Sequence, residues 1–155
     1  MDPKRMKRII VATDFSELSN EAVETAVALA HESGAIVDLV HVATEIVYAV
    51  PPPMDVLSVP VDMPSVVRAA AARLAKEEDR VRDLGVICEG NVLVGRAETQ
   101  IVDHADKTRS DLIVLGTHGR TGLGHALMGS TAEKVVQHAH CPVLTVPQRQ
   151  PPRAA

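Results

Sequence analysis

The sequence predicts an α/β protein built on an open parallel sheet with helices on both faces. Two observations carry this reading. Short apolar runs rich in Val, Ile and Leu alternate with helical patterns along most of the chain. The runs are also continuously apolar, as in Asp111-Leu-Ile-Val-Leu115, which suits strands buried on both sides. At 155 residues the chain is long enough to bury roughly 70% of its unfolded surface around a single core. Residues 1–147 are therefore expected to form one domain, with 148–155 a flexible tail.

The elements follow in order. Strands are expected at residues 8–13, 36–42, 86–94, 111–115 and 142–146, and helices at 19–33, 65–84, 97–108 and 130–139. In the first helix Ala22, Val23, Ala26, Val27, Leu29 and Ala30 make one apolar face, and Gly34 is placed to end it. Residues 44–64 carry Pro51, Pro52, Pro53, Pro60 and Pro64, which exclude a regular helix there. So long a loop serves a site or a partner, or is a disordered connector. Ser130-Thr-Ala-Glu133 fits a capping box opening the last helix, which offers Val135, Val136 and Ala139 for burial.

Composition narrows the function. Tyr48 and Phe15 are the only aromatic rings of the Phe, Tyr and Trp kind, too few for a flavin site or a single-strand nucleic-acid platform that relies on stacking. A formal charge of −4 argues against a nucleic-acid backbone as main partner. The Lys4-Arg5-Met6-Lys7-Arg8 run reads as a solvated lead-in to the first strand, because the apolar stretch after it is too short for a signal peptide. No stretch approaches the roughly 20 apolar residues needed to cross a bilayer, so no membrane partner is expected. Cys88 and Cys141 lie far apart in sequence, which suits reduced thiols and a cytoplasmic location.

The segment Gly116-Thr-His118-Gly119-Arg120-Thr-Gly-Leu-Gly-His125-Ala-Leu-Met-Gly129-Ser130-Thr131 joins an apolar strand to a helix start. Loop glycines permit positive φ and inward-turned N–H groups, and a helix start adds unpaired N–H groups and the positive end of its dipole. Such a segment suits a phosphate; a tight connection without a ligand is the alternative.

The spacing Gly116, Gly119, Gly129-Ser130 resembles the nucleotide-binding motif of the universal stress protein family. Ile9-Ile-Val-Ala-Thr13-Asp14-Phe-Ser16 is similar to its first strand and acidic turn, Val40-His41-Val42 to the end of its second strand, and Ala139-His-Cys-Pro142-Val-Leu-Thr-Val146 to its last. The resemblance implies a Rossmann-like five-stranded sheet of order 3-2-1-4-5, ATP as ligand, and a homodimer paired through the last strand. It further implies that the backbone near Val42 reads the adenine while Ala12, where many relatives carry proline, lines the pocket. His140 also stands where relatives often have proline.

With that order the sheet reverses between its first and fourth strands, so Thr13-Asp14 and Gly116 meet at one crevice beyond the strand ends. Gly116, Gly119 and Gly129 would permit close backbone approach. Ser130 and Thr131 hydroxyls would donate to phosphate or cap the helix. Arg120 either neutralises phosphate or is a solvated loop residue, and His118 either touches phosphate or faces solvent. Asp14 would accept from ribose hydroxyls, hold a phosphate-bound Mg or Mn ion, or cap the turn into the first helix. The His138-Ala-His140-Cys141 cluster lacks the spacing of a structural zinc site.

Three functions compete: a nucleotide-dependent stress regulator acting on an unidentified protein partner, a slow ATPase or phosphotransfer enzyme, and a nucleotide-free interaction module. No Walker loop is present, Val94-Gly95 stands where a receiver domain needs an acidic residue, and no nucleophile constellation emerges.

Overall fold

The computed structural model describes residues 6–44, 62–117 and 128–147. Strands β1 (Arg8–Ala12), β2 (Ile36–Ala43), β3 (Cys88–Val94), β4 (Leu112–Gly116) and β5 (Val143–Val146) form one parallel sheet in the order β3-β2-β1-β4-β5. Helices α1 (Glu17–Ser33), α2 (Met63–Asp83), α3 (Ala97–Thr108) and α4 (Ser130–His138) connect them.

Strand periodicity divides the core in two. Side chains of alternate residues point to opposite faces. Ile9, Val11, Val37, Leu39, Leu112 and Val114 pack under α1 and α2 with Ala22, Val23, Ala26, Ala30, Leu74 and Val81. Ile10, Val40, Ile113 and Leu115 pack under α3 and α4 with Ile101, Val102, Ala105, Ala132 and Val135. Right-handed crossovers require this division: the chain moves outward from β1 through β2 to β3, then returns across the other face to β4 and β5.

The ends of α1 follow from sequence chemistry. Ser16, not a residue nearer Ser19, is its N-cap, accepting from the Ser19 N–H at 3.2 Å. Gly34 closes it in the left-handed conformation at φ 73°, its N–H donating to Ala30 O at 2.8 Å. Pro64 falls inside the first turn of α2 rather than outside the helix, because the missing proline N–H has no intrahelical acceptor there anyway.

Arg8 departs from the solvated lead-in expected of its basic run. Its Nη1 donates to Asp38 at 3.0 Å and to Glu89 at 2.8 Å. Asp38 is wholly buried under α3, and its carboxylate also accepts from Asn91 Nδ2 at 2.9 Å and His104 Nε2 at 3.0 Å. Burying a carboxylate is tolerable only with such partners. The hydrogen bond to Glu89, and then Asp38, hold the Arg8 guanidinium proton more tightly than usual against the opposing effect of burial. This cluster ties β1, β2 and β3 to α3 near the end of the sheet opposite the strand carboxyl ends.

Candidate functional site: a cleft at the sheet reversal

β1 and β4 lie side by side, with Ile9 opposite Leu112 and Val11 opposite Val114, but their chains depart to opposite faces. The crevice so opened is a cavity of about 230 Å³ whose walls include Ala12, Thr13, Asp14, Val42, Gly116, Gly129, Ser130 and Thr131. Eight of the eleven residues singled out in the sequence thus border one cavity. His118, Gly119 and Arg120 lie outside the described residues.

On the β1 side the turn is wired by hydroxyls. Thr13 N–H donates to Val40 O at 2.8 Å, extending the pairing of β1 with β2 past the end of the strand. Ser19 Oγ donates to Ser16 O at 2.8 Å, so in its 3.0 Å bond with Thr13 it must be the acceptor and Thr13 the donor. Thr13 Oγ1 in turn accepts from Phe15 N–H at 3.0 Å. The Thr13 hydroxyl proton is therefore committed to the turn rather than offered to a ligand. Of its expected roles Asp14 shows the turn-capping one, Oδ1 accepting from Ser16 N–H at 3.0 Å, and the residue also borders the cavity.

On the β4 side Thr117 N–H donates to Val146 O at 3.0 Å, and Gly129 N–H donates to Thr117 O. The chain that leaves the sheet at Thr117 therefore returns to the same point at Gly129. Here the capping-box expectation is overturned. Gly129 is the N-cap of α4, at φ −61°, Ser130 is the first helical residue, and no side chain among the described residues caps the helix. The segment closes back on β4 one residue before Ser130, which fixes the cap at a residue with no side chain to spend. Gly116 is the last residue of β4 and is not among the residues of positive φ, so neither described glycine of the motif uses positive φ. Their use is space. Ser130, Thr131 and Ala132, whose amides helix geometry leaves without intrahelical acceptors, line the cavity.

The rest of the lining is largely apolar. Val40, Val42, Ile101 and Leu115 line the cavity, together with Ala97 at the start of α3. Lys134 of α4 donates to Glu98 of α3 at 3.2 Å, joining the two helix starts that border the cleft. The Glu98 backbone N–H first, then Lys134 and Arg96, hold its carboxyl below the usual range despite some opposing burial. His41, Ser19, Ala97, Ile101, Thr117 and Ala132 are lining residues that the sequence reading missed. Strand parity points to the apolar wall, since Val40 and Val42 share the face on which α3 must pack. His41 carried no such signal.

An apolar slot beside uncapped helix amides and one carboxylate, Asp14, among the described lining residues suits a planar base attached to a polyanion. No group of three or more His, Cys, Asp or Glu able to hold a metal occurs among the described residues. No described helix is long and apolar enough to cross a membrane.

Comparison with known proteins agrees with this geometry. The chain is 34% identical over 140 residues to universal stress protein MJ0531 of Methanocaldococcus jannaschii, covering 90% of this chain and 81% of that protein. Its structure superposes on that of the protein MJ0577 with a TM-score of 0.78 and 25% identity, covering 95% and 99% of the two chains. It shares its fold, at a TM-score of 0.63 and 23% identity over 90% and 96% of the two chains, with an Archaeoglobus fulgidus universal stress protein solved in complex with dAMP. Residues 6–147 match the Universal stress protein family, and the chain belongs to it.

Proposed function

We propose that the cleft binds an adenine nucleotide, ATP, and that the protein acts in the cytoplasm as a nucleotide-dependent regulator of a stress response. One observation carries the reading: α4 begins at the sheet reversal with a glycine N-cap, and its first residues share the cavity lining with Asp14. Phosphates lie against the Ser130 and Thr131 amides and hydroxyls, the base occupies the slot between Val40, Val42 and Ile101, and Asp14 meets the ribose. The sequence motif adds His118, Gly119 and Arg120, which lie outside the described residues, as candidate phosphate contacts. The dAMP complex of the Archaeoglobus fulgidus relative supports an adenine nucleotide as the ligand class. A divalent cation, Mg or Mn, is held chiefly by the phosphates, with Asp14 the single described carboxylate at the cavity wall. The protein works as a homodimer through β5.

Two measurements test this. Mass spectrometry of ligand released from heat-denatured protein should find an adenine nucleotide. Calorimetric titration with ATP should show saturable binding that Gly129→Val abolishes while the fold, monitored by circular dichroism, persists. Valine is compatible with φ −61° and ψ 151°, so the substitution tests the space at the cleft rather than the backbone. Unchanged ATP affinity in a folded Gly129→Val protein refutes the site.

A further inference from the structure

The turn between β1 and α1 holds a non-glycine residue in the left-handed region: Phe15, at φ 63°. L side chains rarely adopt that conformation, and it persists only where the surroundings over-determine it. Three contacts do so. Its N–H donates to Thr13 Oγ1 at 3.0 Å. Its ring stacks on His41 with centroids 4.4 Å apart and planes inclined by 29°. The guanidinium carbon of Arg73 lies 4.2 Å from the ring centroid. The ring of Phe15 is thus held by two groups from different elements, His41 of β2 and Arg73 of α2.

The grip joins three elements. Residue 41 shares the parity of Val37 and Leu39 and so belongs to the α1/α2 face of the sheet. Its Nδ1–H donates to Thr13 O at 2.8 Å, which fixes the ring against the same turn. Arg73 reaches in from α2 and is exposed at its outer side. The turn wraps around Phe15: Asp14 immediately precedes it and bonds Ser16 immediately after it. The placement of Asp14 at the cavity wall therefore depends on where the Phe15 ring is held.

We propose that Arg73 is a positioning residue for the cleft: by clamping Phe15 against His41 it keeps the turn in its left-handed form and Asp14 in place. The consequence for ligand binding rests on the reading of the cleft as a nucleotide site. Arg73 is not itself among the residues lining the cavity, so it acts through Phe15. The clamp adds α2, which contributes no residue to the cavity lining, to the elements that set the geometry of the site.

The test compares Arg73→Gln, which removes the cation, with Arg73→Lys, which retains one able to sit over the ring. Amide hydrogen exchange of the ligand-free proteins is measured first. Arg73→Gln should raise exchange at the Phe15 and Ser16 amides about three- to fivefold, as expected for loss of one exposed cation–π contact, while core amides of β1, β2 and β4 keep wild-type rates. Arg73→Lys should restore most of the protection. ATP affinity by calorimetry should follow the same pattern, weakened about three- to fivefold by Gln and largely rescued by Lys. Wild-type exchange at Phe15 and Ser16 in Arg73→Gln overturns the proposal. So does a uniform rise that includes the sheet amides, or an unchanged ATP affinity where wild type binds. If wild type binds no ATP, the nucleotide reading fails on its own account, and the exchange pattern still decides whether Arg73 holds the turn.

Discussion

Cys88 illustrates how one buried group shapes stability across pH. It opens β3 at 1% exposure, packed under α2. Burial first, then the nearby Glu78 charge, push its thiol from an ordinary 9.0 up to about 12. In the unfolded chain the thiol ionises near its ordinary value, so between about pH 9 and 12 the folded state holds a proton that the unfolded state has released. The contribution is fully present below pH 9 and lost as pH rises through that window, with a slope approaching about 1.4 kcal/mol per pH unit for one proton. Urea unfolding at pH 8 and pH 10.5 should therefore show a smaller alkaline loss in Cys88→Ala than in wild type. Equal losses would mean that the thiol titrates alike in both states. Native Cys88 should also resist alkylation until the protein unfolds, since the thiolate is the reactive form.

Among the elements, β5 is, with β3, one of the two edge strands of the sheet. It pairs with β4 alone, and an edge strand offers unpaired N–H and C=O groups to a second chain. Leu144 is 37% exposed on it and Val136 on α4 is 46% exposed, whereas Val143 and Val146 pack partly against the two cores. Val136 was expected to be buried by α4. The helix instead turns Ala132 and Val135 to the sheet, because their spacing of three lies directly above β4 and β5. A dimer through β5 should thus be sensitive to Leu144→Glu, which places a charge at the exposed position without filling either core with one. Sedimentation should show wild-type dimer at micromolar concentration and Leu144→Glu monomer with an unchanged fold. A wild-type monomer with and without ATP rules the pairing out. Charges at Val143 or Val146 would be poorer probes, since they would unsettle the cores as well.

For the molecule as a whole, the site is better equipped to hold a polyanion than to activate water. Phosphoryl transfer depends largely on positioning and charge stabilisation, so bound ATP should turn over slowly. We expect a rate orders of magnitude below the roughly 10 per second of a typical enzyme. Asp14→Asn separates binding from catalysis: on the proposed reading, in which Asp14 meets the ribose or the phosphate-bound ion, it should weaken ATP affinity or remove its dependence on Mg. Hydrolysis near the typical enzyme rate, abolished by Asp14→Asn with affinity kept, would make the protein an enzyme instead.

Much of this was legible in the residues. The apolar runs at 8–13, 36–42 and 111–115 declared buried parallel strands, Gly34 declared a helix end, and the Gly116 to Gly129-Ser130 spacing declared the family, because burial, backbone conformation and close approach each act on one residue and leave a local mark. What the fold alone decided involves partners far apart in the chain. Ser130 lost its capping role because Gly129 bonds back to Thr117. Arg8 left solvent because β1, β2 and β3 align it with Asp38 and Glu89. Phe15 accepts a left-handed backbone because β2 and α2 bring His41 and Arg73 to its ring. Such pairings depend on strand order and register, which periodicity does not encode: a pattern states which face is apolar, and only the assembled sheet determines what that face meets.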